Sequence, residues 1–215
     1  MYRLFGSPED TRQDEVLESR IAALNLLDLN LGHLGVAVGD ADIPAIDDMV
    51  RSAGEQFMGL NTFTTAKDKL DSLVRTHQII VDAIESFAVN EKDVTHDGQV
   101  DVAQEMQQAM TTATAQEEEA ASHHHKDHSA IKDTKDMARL GTASADVLLP
   151  LLIYTIVKTN PTNFISNLRF THRFRHPAQL TGLASYCITN ISAAVTFLES
   201  TNLVGLGLSV DKVHR

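Results

Sequence analysis

Apolar residues recur at helical spacing through most of the chain and nowhere keep the strict alternation that a half-buried strand requires. The firmest run is Leu70, Leu73, Val74, His77, Ile80, Val81, Ile84 and Phe87, which share one face at 3.6 residues per turn. The Thr-x-x-Asp spacing in Thr64-Thr65-Ala66-Lys67-Asp68 predicts where that helix starts. His77 sits on its apolar stripe, where a histidine is ordinarily a satisfied, half-buried residue. Nearer the N-terminus, residues 1–11 are polar and read as frayed. Leu17, Ile21 and Leu24, with Glu15, Glu18 and Arg20 between them, predict a first amphipathic helix from Asp14. Leu26 to Val38 is leucine-rich but interrupted by Gly32, Gly35 and Gly39, which predicts a short helix and a turn. Asp42-Ile43-Pro44 opens the next helix, and Ile46, Met49, Val50 and Phe57 carry it to about Leu60.

Beyond Gly141 the residues from Val147 to Val157 are almost entirely apolar, and Lys158-Thr159-Asn160-Pro161 makes a good helix stop. One carboxylate, Asp146, stands at the entrance to this run. It belongs at a surface, because burying an unpaired charge costs several kcal/mol or more. A helix N-terminus alone accounts for an aspartate there, since Asp is a favoured capping residue. Thr162 to Phe174 predicts a further helix, with Phe164, Ile165, Leu168 and Phe174 inward and Arg169, Arg173 and Arg175 outward. His176-Pro177 breaks it and Leu180-Thr181-Gly182 reads as a turn. A last helix runs from Tyr186 to Glu199 on Ile188, Ile191, Val195 and Leu198, and the tail Leu203–Leu208 packs back on the bundle.

Between Asn90 and Arg139 there is no aromatic residue and no proline, but five of the ten histidines and the run Glu117-Glu118-Glu119. Val102, Met106, Ala109, Met110 and Ala113 fit one weak amphipathic helix, and the rest of 90–140 reads as a solvated, disordered insertion. His123-His124-His125 with His128 invites a metal, since His124 and His128 are four residues apart. No cysteine accompanies them and nothing fixes a second shell of ligands, so no metal site is expected.

Composition narrows the class. At 215 residues the chain is one domain or one domain with an appendage, and with 5% aromatics and no Trp its core must be aliphatic. A net charge of −11 argues against nucleic acid, where Lys and Arg must neutralise phosphate, and suits a partner with basic side chains. The single cysteine, Cys187, allows no internal disulfide and points to a reducing compartment. The first residues lack the apolar segment of a signal peptide, and the longest apolar run is about half of what a bilayer span needs. A cytoplasmic chain is expected, all-α throughout. No Gly-rich phosphate loop, zinc signature or nucleophile elbow is present, and Asp47-Asp48 read as ordinary solvated charges.

The sixteen residues from Asp146 to Pro161, Asp-Val-Leu-Leu-Pro-Leu-Leu-Ile-Tyr-Thr-Ile-Val-Lys-Thr-Asn-Pro, resemble the central helix of the vacuolar-protein-sorting-nine domain. The similarity continues in order through Ile165-Ser166-Asn167-Leu168-Arg169-Phe170, Arg173-Phe174-Arg175, Leu180-Thr181-Gly182 and Tyr186-Cys187-Ile188-Thr189-Asn190. Upstream, Ala66–Val74 resembles the family's Pro-x-x-Lys-Leu helix, and Glu18–Val38 is loosely similar to its opening helices. The resemblance implies an all-α, layered helical bundle over 12–206, with an N-terminal layer at 12–60, a core at 64–87 and 142–206, and the insertion 90–140 between.

It also implies a function. Members of the family release GDP from endosomal Rab GTPases of the Rab-five class, with no cofactor and no covalent chemistry. The family pattern is an Asp four residues before a Pro and a Tyr three residues before a Thr, and the matching positions are Asp146, Pro150, Tyr186 and Thr189. By resemblance Asp146 is an acidic finger that competes with phosphate for the P-loop lysine and disfavours Mg²⁺. Tyr186 acts with it, and Pro150 and Thr189 contribute to partner binding. The expected setting is cytoplasmic, peripheral on early endosomes, without a transmembrane segment. Departures stand beside the matches: Val147 where many members carry a second acid, Cys187 where many carry a second tyrosine, and a plain Gly182-Leu183-Ala184-Ser185 before Tyr186. Leu183 and Cys187 keep a second reading open, a module that binds a Rab without exchanging its nucleotide. A metal-dependent helical protein built on His123–His128 is a third.

Overall fold

The computed structural model describes residues 7–40, 42–86, 104–113, 145–175, 182–202 and 206–208, and among these there is no strand. The helices are α1 (Pro8–Leu26), a 3-10 turn (Leu31–Leu34), α2 (Ile43–Gly59), α3 (Ala66–Ser86), a helical stretch at 104–113, α4 (Ala145–Thr159), α5 (Phe164–Phe174) and α6 (Gly182–Ser200). The all-α expectation holds.

Helix α4 is the hub: α1, α2, α3, α6 and the 3-10 turn all pack against it. Its sequence explains why, since Leu148, Leu151, Leu152, Ile153, Ile156 and Val157 leave no polar face wide enough to meet water, and all six are buried. Thr155 is buried among them with its hydroxyl returned to the Leu151 carbonyl at 2.8 Å, so no polar group is stranded. The chain leaves α4 through Asn160 in the left-handed region, and Asn25 Nδ2 of α1 donates to the Val157 carbonyl at 2.5 Å.

Helix α1 starts earlier than its apolar residues indicate. Ser7 caps it, accepting from the Asp10 amide at 3.0 Å, and Asp10 returns the bond to the Ser7 amide, so residues 7–11 are ordered rather than frayed. The buried positions of α1 are Asp10, Asp14, Leu17, Ile21 and Leu24, a regular stripe whose first two members are carboxylates. Each has a partner on α5. Arg169 and Arg173 bind Asp10 at 2.6 and 3.1 Å, so these two arginines, expected to face outward, tie α5 to α1. Burial works to raise the Asp10 pKa, but the Arg169 hydrogen bond and the Arg173 charge together bring it below its ordinary value. Asp14 accepts from the Ser166 amide at 3.1 Å and hydroxyl at 2.5 Å, serving the N-terminus of a helix whose own preceding residue, Asn163, makes no side-chain cap. Burial raises the Asp14 carboxyl despite those bonds.

Helices α2 and α3 follow expectation, with Pro44 in the first turn of α2 and Thr65 accepting from the Asp68 amide at 3.1 Å ahead of α3. The helical stretch 104–113 matches the weak amphipathic helix expected there, and Met106, Ala109 and Ala113 are buried in the common core. The remainder of the solvated insertion expected over 90–140, including His123–His128 and Glu117–Glu119, lies outside the described residues. Leu206 and Leu208 of the tail are buried, as expected.

Helix α2 approaches α4 closely at Gly54, where an added methyl would overlap the Thr159 side chain. Thr159 cannot turn aside freely, because its hydroxyl donates to the Thr155 carbonyl at 2.7 Å. Gly54→Ala is therefore expected to destabilise the domain by about 2 kcal/mol through overpacking, overriding alanine's better helix propensity. Urea denaturation of the two proteins measures this; equal or higher stability in the variant would show that the helices can separate without cost.

Candidate functional site

Asp146 lies in the first turn of α4 and is exposed. It stands inside the helix rather than at the capping position, where the helix dipole favours an acidic side chain by about 0.3–1 kcal/mol. One turn on, Pro150 is buried within the helix. A proline has no N–H, so Pro150 withholds the backbone bond that the Asp146 carbonyl would otherwise accept, and its ring crowds that same carbonyl. The proline thus acts on the backbone that carries Asp146 rather than on solvent.

Behind this end of α4 the neighbouring chain forms a shallow apolar depression. It is lined by Val36, Ala37, Val38, Asp42, Ile46, Val147 and Leu151. Val147 is half-buried in it. An apolar residue at 147 is accounted for locally: at this position the chain meets apolar side chains of α2 and the segment before it. Further along α4, Lys158 covers the half-buried Tyr154 ring at 5.3 Å.

Helix α6 packs directly against α4 and carries Tyr186 and Thr189 one turn apart, both half-buried. The Thr189 hydroxyl donates to the Ser185 carbonyl at 3.0 Å. Gly182–Ser185, which the sequence pattern leaves ahead of the last helix, is instead the first turn of α6. Leu183 and Ala184 are buried there, and their apolar surface draws the helix out to Gly182. Cys187 is fully buried, and burial pushes its thiol up to about 12.

Beneath Tyr186 lies His77 of α3, which is fully buried, not half-buried as its stripe alone implies. Its ring meets the Tyr186 ring edge-on, centroids 5.5 Å apart at 73°. Asn190 Nδ2, one turn beyond Tyr186, lies 3.0 Å from His77 Nε2, which makes Nε2 the acceptor and puts the proton of the neutral ring on Nδ1. Nδ1 is buried with no hydrogen-bond partner, so the histidine is satisfied at one nitrogen only.

Burial pushes His77 down to about 4. An unfolded histidine protonates near 6.5, so over this interval the unfolded state binds more protons than the folded one. Stability is full above about pH 6.5 and falls as pH drops toward 4, by about 3 kcal/mol from His77 alone. His172, also pushed down to about 4 by burial and by Arg175, acts in the same sense, while the raised Asp14 opposes it. Denaturant midpoints measured across pH 4–7 should decline steeply in wild type and less steeply in His77→Phe. Parallel profiles would show that His77 does not titrate as its burial requires.

The pattern of the vacuolar sorting protein 9 (VPS9) domain matches residues 50–203. The chain belongs to the VPS9 domain family. It is 27% identical to the "Rab5 GDP/GTP exchange factor" of Mus musculus over 219 residues, covering 100% of this chain and 34% of the mouse protein. A bovine protein of the same name is 41% identical over 88 residues, 40% of this chain and 17% of its own length. "Vacuolar protein sorting-associated protein 9A" of Arabidopsis thaliana is 40% identical over 70 residues, 33% of this chain and 13% of the plant protein. The chain spans about a third of the length of the mouse relative. Within this VPS9 domain Asp146 and Pro150 sit on α4 and Tyr186 and Thr189 on α6, two helices that pack on each other, and α3 supplies the ring under Tyr186.

Proposed function

We propose that the chain is a guanine nucleotide exchange domain that promotes GDP release from a Rab-five-type GTPase, with Asp146 as the residue that contests the phosphate site. The observation that carries it is the exposed carboxylate of Asp146 at the tip of a helix whose body is immobilised in the core. Membership of the VPS9 family and similarity to proteins named Rab5 GDP/GTP exchange factors support it.

The chemistry is electrostatic. A GTPase holds GDP chiefly through its phosphates, cradled by P-loop amides and a lysine with Mg²⁺ alongside. A carboxylate entering that site pairs with the lysine in place of the β-phosphate and repels the phosphate. It also lowers the affinity of Mg²⁺ for a site now sharing its ligands. Asp146 needs no proton transfer for this, and no bond is made or broken; the domain works by binding the nucleotide-free GTPase better than the GDP-bound one. Tyr186 and Thr189 are the contacts on α6, and Pro150 shapes the backbone that aims the carboxylate.

A non-exchanging Rab-binding module draws its support from Leu183 and Cys187. Both side chains are buried. They line the core rather than the surface that a partner meets, so their identity bears on packing more than on exchange. None of the helices among the described residues is long and apolar enough to cross a membrane. We place the domain in the cytoplasm, on early endosomes as a peripheral protein. The deciding experiment is GDP release from a panel of Rab GTPases: acceleration of a Rab-five-type member is expected, and no acceleration of any member at micromolar domain would leave only the binding module.

A further inference from the structure

Three side chains from two helices meet beneath the α6 surface. Tyr186 and Asn190 are four residues apart and so project from the same side of α6. His77 of α3 touches both: its ring faces the tyrosine edge-on at 5.5 Å, and its Nε2 takes the Asn190 amide at 3.0 Å. The histidine and asparagine are buried, while the tyrosine is only half-buried, so one portion of Tyr186 lies on the clamp and the rest is open to a partner. A purely space-filling role would be served by leucine or phenylalanine, which carry no ring nitrogen to leave unpaired. His77 Nδ1 is such a nitrogen, and a buried donor left without a partner opposes folding. The histidine is costly where it stands, and both of its specific contacts end on α6.

We infer that His77 is a positioning residue for exchange: it grips α6 at Asn190 and sets the Tyr186 ring at the angle from which it meets the GTPase. This rests on the exchange function proposed above. It assigns to α3 a role that neither Asp146 nor the α4–α6 pair supplies. A tyrosine on a helix surface has two free torsions, and a ring underneath removes part of that freedom before the partner arrives, which lowers the cost of ordering it on binding.

The test uses His77→Leu, which keeps apolar bulk but removes the ring and the acceptor, and His77→Phe, which restores the ring alone. Two readouts are taken: GDP release from the responsive Rab, and the ring resonances of selectively labelled tyrosine. The chain has three tyrosines and no tryptophan, so Tyr186 is assignable by comparison with Tyr186→Phe. An edge-to-face pair is worth up to about 1.5 kcal/mol, so His77→Leu is expected to slow exchange about tenfold and to move the Tyr186 signal toward its unstructured position. His77→Phe is expected to return both to within about twofold of wild type, although it is less stable because Asn190 loses its acceptor. The inference is overturned if His77→Leu exchanges at the wild-type rate, if it slows exchange while the Tyr186 signal stays in place, or if His77→Phe rescues neither. Failure of the exchange function itself shows differently: wild type and Asp146→Ala would then be equally inactive, and the ring resonances would still decide whether His77 holds Tyr186.

Discussion

Asp146→Ala is expected to lower GDP release by at least about 30-fold while leaving the helical circular-dichroism signal and the thermal midpoint almost unchanged, because truncating one member of a desolvated charge pair costs about 2–5 kcal/mol at an interface. The two halves of this result come from different places. In the free domain Asp146 is an exposed side chain in the first turn of α4, so its removal is expected to cost the fold little. At the nucleotide site the same carboxylate has to enter a pocket built for phosphate, where its charge is the entire means of action. Asp146→Asn separates charge from shape, since the amide can still cap and hydrogen-bond but cannot pair with an ammonium group as a full charge; it should be nearly as inactive as alanine. Retention of more than a tenth of the wild-type rate in both variants would sink the acidic-finger assignment. A parallel fall in thermal midpoint of several degrees would mean instead that Asp146 serves the fold.

The helical frame was legible because most of its stripes are aliphatic. Helix α3 and the apolar α4 are readable from spacing alone, since a face that must leave water can be traced by eye when most of its members are Leu, Ile or Val. Helix α1 was legible only from Asp14 onward for the opposite reason. Its stripe continues through Asp14 and Asp10, and a buried carboxylate looks like a solvated one until Arg169, Arg173 and Ser166 are brought to it from the other end of the chain. The start of α6 was missed in a similar way, because the small residues Gly182, Ala184 and Ser185 read as lying ahead of the last helix until Leu183 and Ala184 find the core.

The candidate site shows the same division. Asp146 and Pro150 could be placed from local order, being four residues apart on one helix. What lies beneath Tyr186 could not, since His77 and Asn190 are separated by 113 positions along the chain. Periodicity put His77 on an inward face, but neither its complete burial nor its half-satisfied ring follows from one helix. Those are properties of the α3–α6 contact, and no one-dimensional pattern carries them.

The largest loss of stability is expected from Lys69→Ala, about 4 kcal/mol, from a cavity of long-side-chain size together with buried acceptors left unpaired. Lys69 follows Asp68 on α3 within the segment that resembles the family's Pro-x-x-Lys-Leu helix, and it is only 1% exposed. Its ammonium donates to the Leu60 carbonyl at 2.5 Å and to Asn167 Oδ1 at 2.7 Å, and lies 5.8 Å from the Phe170 ring centroid. Asn167 in turn reaches Asn61 at 3.0 Å and the Asn163 carbonyl at 2.9 Å. One side chain therefore fastens α3 to the end of α2 and to α5. Burial lowers the Lys69 pKa, so holding the charge opposes folding in isolation and the neutral acceptors around it must offset that. The sign with pH follows: the unfolded chain keeps its proton to higher pH than the folded one, so this residue's contribution to stability rises with pH as the folded-state ammonium is lost. Lys69→Met tests the balance, because it keeps the volume and removes both the charge and the donors. Its loss should be well below that of alanine, as desolvation relief offsets part of the missing bonds. Urea denaturation at two alkaline pH values measures all three proteins. If methionine is as damaging as alanine, the hydrogen-bond junction dominates; if both variants match wild type, Lys69 is not the fastening between these helices.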